Sequence, residues 1–218
     1  MTRFVKLYKA MSLPVKASVW FVFLSFFTSF VGLITVPIYT RVLVSEDYGQ
    51  FNLYTSWLAI FTVIGGLHLS GGMFNRMMSH DEENRDRLYA SMIGLNIFAV
   101  AFFALIVFLL LQLNIIAFPF QNILFFLMMS QIIFTSAKAI WIARIRYDYK
   151  YVKTVLSSIL VAISIPAIGI ILIVFTDLNY IALIISQFVV GSAVFMLIIL
   201  NIFSRRLRVI NKTYWLYA

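Results

Sequence analysis

The chain has 218 residues, 63% apolar and 11% charged, with a mean hydropathy of +0.99, whereas a soluble domain is nearer half apolar and a quarter charged; a water-soluble globule is excluded. Its 22 Phe, 11 Tyr and 4 Trp against 8 acids exclude disorder, and the absence of cysteine removes disulfides, thiolate nucleophiles and Cys-based metal sites. Seventeen Lys and Arg give a net charge of +9, which points to nucleic acid or to a membrane surface according to where the cations fall.

The first 16 residues interleave Arg3, Lys6 and Lys9 with Phe4, Leu7, Tyr8 and Met11 at helical spacing, which predicts an interfacial arm before Pro14. Six stretches then reach the length of about 20 residues that crosses a hydrocarbon core: 17–40, 50–73, 90–113, 121–143, 152–175 and 180–203. Short connections between them predict an antiparallel bundle, an all-α integral membrane protein followed by a tail at 204–218.

Span one carries Ser18, Ser25, Thr28, Ser29, Gly32, Thr35 and Tyr39 along one stripe, with large apolar residues on the rest of its surface. Close helix packing and a lumen-lining face both account for such a stripe. For span two, Ser45 is the expected N-cap, with Glu46 and Asp47 in the first turn. Its polar face collects Gln50, Tyr54, Trp57, His68 and Asn75, and the pairs Gly65-Gly66 and Gly71-Gly72 mark a place where the helix is free to break.

Span four aligns Gln131, Thr135 and Lys138, and span six aligns Tyr180, Gln187, Gly191 and Asn201. Lys138 either snorkels to the interface or faces an anion-accepting lumen. Spans three and five show no such stripe, which suits the outside of the bundle. Pro37 and Pro166 interrupt spans one and five.

The cations settle orientation. Of the 17 Lys and Arg, fifteen fall in the N-terminal arm, the second loop, the fourth loop or the tail; Arg41 alone lies in an odd-numbered loop, and Lys138 lies inside a span. Cytoplasmic loops retain basic residues, so both termini are expected in the cytoplasm, and the charge outlines a membrane boundary rather than a nucleic-acid footprint.

Chemistry at membrane depth is sparse. All eight acids lie in loops or at span boundaries, there is no H-E-x-x-H, and His68 and His80 are too few for an all-histidine metal site. His68 and Ser70, two residues apart, point away from each other on a helix and make no nucleophile–base pair. No enzyme, metal or cofactor is expected. His68 remains either a structural residue or a proton-linked group.

The segment Thr35-Val-Pro-Ile-Tyr-Thr-Arg41-Val-Leu-Val-Ser45-Glu-Asp-Tyr-Gly49 resembles the first periplasmic junction of polysaccharide flippases, the Wzx-type O-antigen and capsule carriers of the multidrug/oligosaccharidyl-lipid/polysaccharide superfamily. The segment from Gly65 to Arg76 is similar to the glycine-bearing end of their second helix. The resemblance implies a lobe that moves an undecaprenyl-pyrophosphate-linked oligosaccharide across the inner membrane, with a missing second lobe, from a longer chain or a second copy, and polysaccharide assembly proteins as partners besides membrane lipids. Arg41 and Arg76 match the family; Lys138 and Arg144 are added from position as further contacts for the diphosphate. Ser25, Ser29, Tyr39, Tyr54, Trp57, His68, Asn75, Gln131, Thr135 and Gln187 are the expected lumen-lining residues. A non-transporting membrane scaffold or an inactive truncated fragment is the alternative.

Overall fold

A computed structural model describes residues 10–218 except 68, 70, 81–83, 116, 149, 208, 210–214 and 216–218, and not the side chains of 72, 73 and 80. The expected interfacial arm up to residue 9, His68 and most of the tail lie outside the described residues. Among the described residues seven helices follow in chain order: α1 (Leu13–Val42), α2 (Ser45–Gly65), α3 (Gly72–His80), α4 (Arg85–Gln112), α5 (Asn122–Tyr147), α6 (Tyr151–Phe175) and α7 (Asn179–Ser204). There is no strand among the described residues. Helices α1, α4, α5, α6 and α7 are each long and apolar enough to cross a bilayer, which makes this a multi-pass α-helical membrane protein.

The second expected span, 50–73, is corrected. It is not one continuous helix: α2 stops at Gly65, Gly66, Leu67 and Leu69 lie in turns, and α3 starts at Gly72. Two local causes are visible. A Cβ on Gly65 would lie 2.6 Å from Phe103 Cδ1, and one on Gly66 would lie 2.6 Å from the carbonyl oxygen of Thr62, so both positions need glycine. Leu67 then takes a left-handed backbone with φ of 49°, which ends the helix. In addition Gln50, Asn52, Thr55 and Ser56 dilute the apolar character of α2, which is not among the five bilayer-length apolar helices.

Helix ends obey simple rules. Pro14 occupies the first turn of α1, where its missing N–H costs nothing, and Arg41 closes the last turn. Val44 rather than Ser45 occupies the cap position of α2; the acids Glu46 and Asp47 sit in its first turn as expected. Arg144 and Arg146 complement the C-terminus of α5.

Helix α7 is the hub, packing on α6, α5 and α2, while α1 leans on α6 and α4 on α5. The α6–α7 approach is close because Gly169 has no side chain: a Cβ there would lie 2.8 Å from Leu183 Cδ2 and 3.4 Å from the Tyr39 hydroxyl. Helix α6 otherwise exposes its apolar surface, as expected for span five. The expectation for span three needs correction, because α4 buries Tyr89, Ile93, Asn96, Val100 and Val107 along one stripe, several of them in clusters shared with α5. In a helix apolar all round, hydropathy does not mark the face that packs.

Among the described residues the buried side chains form two large clusters, one toward each end of the bundle, and a small third around Tyr39, Leu43 and Leu183. Near the charged end, Met78, Leu88, Met92, Ile140 and Ile202 pack together; toward the other end, Tyr54, Phe61, Phe125, Met128 and Ile184 do so. An ion network tightens the charged end. Arg144 Nη2 lies 2.9 Å from Asp86 and its Nη1 2.6 Å from Asp148; Arg205 reaches Asp86 at 2.7 Å and Lys150 reaches Asp148 at 3.2 Å. Burial acts to raise the Asp148 carboxyl, but hydrogen bonds from Arg144 and Lys150 outweigh it and hold the group below the ordinary carboxylate range.

Candidate functional site

Between the two apolar clusters α5 and α6 stand apart, and the space is a cavity of about 240 Å3. Leu58 of α2 closes one side. Helix α5 contributes Gln131, Thr135 and Lys138, α7 contributes Gln187 and Gly191, and α6 supplies the apolar wall of Val161 and Ile165. The polar residues arrive together because they occupy the same stripe on each helix, four and seven residues apart on α5 and four apart on α7. Gly191 lets the rings of α5 approach, since a Cβ there would lie 3.2 Å from Phe134.

Gln131 is the most constrained of the four. It is 4% exposed, its Nε2 donates to the carbonyl oxygen of Ile184 at 3.1 Å, and its Oε1 is buried without a partner in the structure. A buried acceptor left unpaired is costly, a state Gln131 shares with the Tyr54, Tyr89 and Thr154 hydroxyls and the Asn96 amide. Lys138 is half-buried, and among the described residues no carboxylate lies within ion-pair distance of it.

Toward the charged end the cavity continues, past the shared Lys138, Val161 and Val194, into a second space of about 330 Å3 reached by Lys153, Ser157 and Asn201. A smaller cavity of about 170 Å3 opens on the other side of α5, from Thr135 and Ser136 to Gly66 at the α2–α3 break.

Four of the expected residues thus share one site: Gln131, Thr135, Lys138 and Gln187. The others are dispersed. Tyr39 and Tyr54 are corrected from lumen to core: Tyr39 packs on Leu43 and Leu183, and Tyr54, fully buried, meets Phe120 edge-on with ring centroids 5.7 Å apart. Trp57 packs edge-on against Phe61 and Phe118, because the aromatic loop before α5 folds back over α2. Asn75, on α3, accepts a hydrogen bond at its carbonyl from the Tyr147 hydroxyl at 2.8 Å. Ser25 and Ser29 are exposed on α1, and Gly32 beside them has open space where a Cβ would stand.

The cations divide likewise. Arg144 is held by Asp86 and Asp148, tying α5 to α4, and its two carboxylate partners leave it a structural clamp. Arg76 is exposed on α3. Arg41 is exposed at the end of α1 and makes no ion pair with Glu46 or Asp47. Sequence reasoning counted Lys153 as a fourth-loop cation although span five, 152–175, contains it; as the third residue of α6 it shares a face with Ser157 and Val161, an i, i+4, i+8 spacing.

The described residues hold no group of His, Asp or Glu able to bind a metal ion. Comparison with protein-family models, with curated proteins and with solved structures finds no match to this chain.

Proposed function

We propose that the chain is a lobe of a lipid-linked oligosaccharide flippase of the multidrug/oligosaccharidyl-lipid/polysaccharide superfamily, carrying an undecaprenyl-pyrophosphate-linked repeat unit across the inner membrane. The supporting observation is the cavity itself: an unpaired ammonium, two carboxamides and a hydroxyl converge inside an apolar bundle. Intramembrane polar groups are expensive and mark transport pathways more often than packing sites. In this reading the broken α2–α3 counts as the second of six crossings, both termini are cytoplasmic, and the charged end faces the cytoplasm, in line with the distribution of Lys and Arg. Lys138 with Arg41 and Arg76 meets the diphosphate, Gln131, Thr135 and Gln187 offer hydrogen bonds to sugar, and the second lobe closes over the exposed stripe of α1.

The reading has a direct test in the native host. Deleting the gene should cause lipid-linked oligosaccharide to accumulate on the cytoplasmic leaflet and surface glycan to fall, and Lys138→Gln at normal membrane expression should reproduce both. Unaltered surface glycan in the deletion strain would refute it. Single cysteines at Ser45, Asn179 and Asn211 report the topology: an impermeant reagent on intact cells should label the first two and spare the third.

A further inference from the structure

The second cavity, at the charged end, carries its own chemistry. Lys138 of α5 and Lys153 of α6 line it together with Asn201 of α7, so three helices each place a hydrogen-bond donor toward one space of about 330 Å3. Its other walls are Trp141, Val161 and Leu197. We propose that this cleft binds the phosphate of an anionic lipid, with Lys138, Lys153 and Asn201 on the headgroup and the acyl or prenyl chain along the apolar wall.

Charge comes first. Among the described residues neither lysine has a carboxylate within ion-pair distance, while Asp86 is held by Arg144 and Arg205 and Asp148 by Arg144 and Lys150. Two ammonium groups around one cavity repel each other, and a shared anion removes that repulsion. Lys153 is exposed and lies over the Trp141 ring beside the cleft, 5.9 Å from its centroid.

Depth comes second. Lys153 is the third residue of α6 and Asn201 the fourth from the end of α7, so their backbones lie within about 5 Å of the helix ends. Lys138 starts about 14 Å inside, and the cavity that all three residues line spans that depth. The cleft therefore runs from the helix ends inward, the depth range over which headgroups give way to hydrocarbon and a lipid phosphate resides. The wall chemistry is the third element: Trp141, Val161, Leu197 and Ile198 give the cleft an apolar lining that matches an amphiphile lying alongside the helices.

The site requires only a membrane-embedded chain and stands whether or not the chain transports a glycan. Two lipids offer the same chemistry, a bilayer phospholipid and an isoprenyl diphosphate, and the test separates them. The full chain, reconstituted in nanodiscs of phosphatidylcholine doped with phosphatidylglycerol, is released and its retained lipids are counted by native mass spectrometry. Wild type should retain phosphatidylglycerol in preference to phosphatidylcholine. Lys138→Gln and Lys153→Gln should each weaken that preference about fivefold, the loss of one interfacial cation contact.

Lys138→Arg and Lys153→Arg should preserve the preference, and Arg87→Gln, an exposed cation of the same end, should leave it unchanged. Farnesyl diphosphate that displaces phosphatidylglycerol only when both lysines are present assigns the site to isoprenyl phosphates; failure to displace it assigns the site to bilayer lipid. Equal retention of the two phospholipids by wild type, or a preference that survives in the double Lys→Gln variant, overturns the proposal.

Discussion

Replacing Gln131 by leucine separates what the residue does for stability from what it does for function. The native amide contributes one interhelical bond, Nε2 to the Ile184 carbonyl at 3.1 Å, and leaves Oε1 buried and unpaired. Hydrogen bonds between membrane helices average about 0.6 kcal/mol and seldom exceed about 1.7 kcal/mol. An unpaired buried acceptor costs about 1–3 kcal/mol. Leucine has similar volume, removes both terms and leaves the Ile184 carbonyl its helical partner within α7, so the variant should be about 1 kcal/mol more stable. Thermal unfolding in detergent micelles should register this as a rise of about 2–4 °C. Under the flippase reading the same variant exports less glycan, because the cavity loses a hydrogen-bonding group. Destabilisation of Gln131→Leu by more than about 2 kcal/mol would refute the reasoning and identify the amide as structural glue.

Asp86→Ala removes one partner from the shielded Arg144 and one from the half-exposed Arg205; the first loss dominates, and unfolding should come about 1–3 kcal/mol earlier, as calorimetry or denaturant titration would show. Asp148 is held below its ordinary value of 3.8, so its contribution is complete above that pH and is lost as pH falls through the lowered value; the stability gap between wild type and Asp148→Asn should be constant from pH 7 to 5 and close only below about 3.8. Gly169→Ala should be tolerated by a shift of the Leu183 side chain, whereas Gly169→Leu should separate α6 from α7 and abolish folded protein in size-exclusion chromatography. Arg41→Ala, with no ion pair to lose, should express normally; reduced glycan export at that expression would assign the arginine to substrate, and normal export would remove that role.

The long helices were legible because twenty or more apolar residues in a row admit few alternatives, and five of the six expected spans are continuous helices of bilayer length. The site was legible in part: Gln131, Thr135, Lys138 and Gln187 stand out as polar residues on otherwise apolar helices, and periodicity aligned them before any fold was known. Tyr39 and Tyr54 look equally polar by type, yet their rings serve packing; a tyrosine carries mostly apolar surface, and its hydroxyl alone does not tell which neighbour it meets. The partnering of Arg144 was hidden for another reason. Asp86 is 58 residues away along the chain, and only the packing of α4 on α5 brings the pair together.

Helix α1 has a property that follows from where its hydroxyls go. Ser18, Thr28, Thr35 and Thr40 each donate to a carbonyl three or four residues back in the same helix, so none of them depends on another element. With their demand met internally, these four hydroxyls are indifferent to whether lipid, water or protein lies against them. The helix leans on α6, with Tyr39 packed on Leu183 of α7 near one end and the guanidinium of Arg146, from α5, over the Phe21 ring, 4.6 Å away, toward the other. A rod fastened at two points and self-sufficient between them can swap its middle neighbour without breaking a polar bond. Whatever slides past α1 therefore meets a low-friction rail rather than a row of latches.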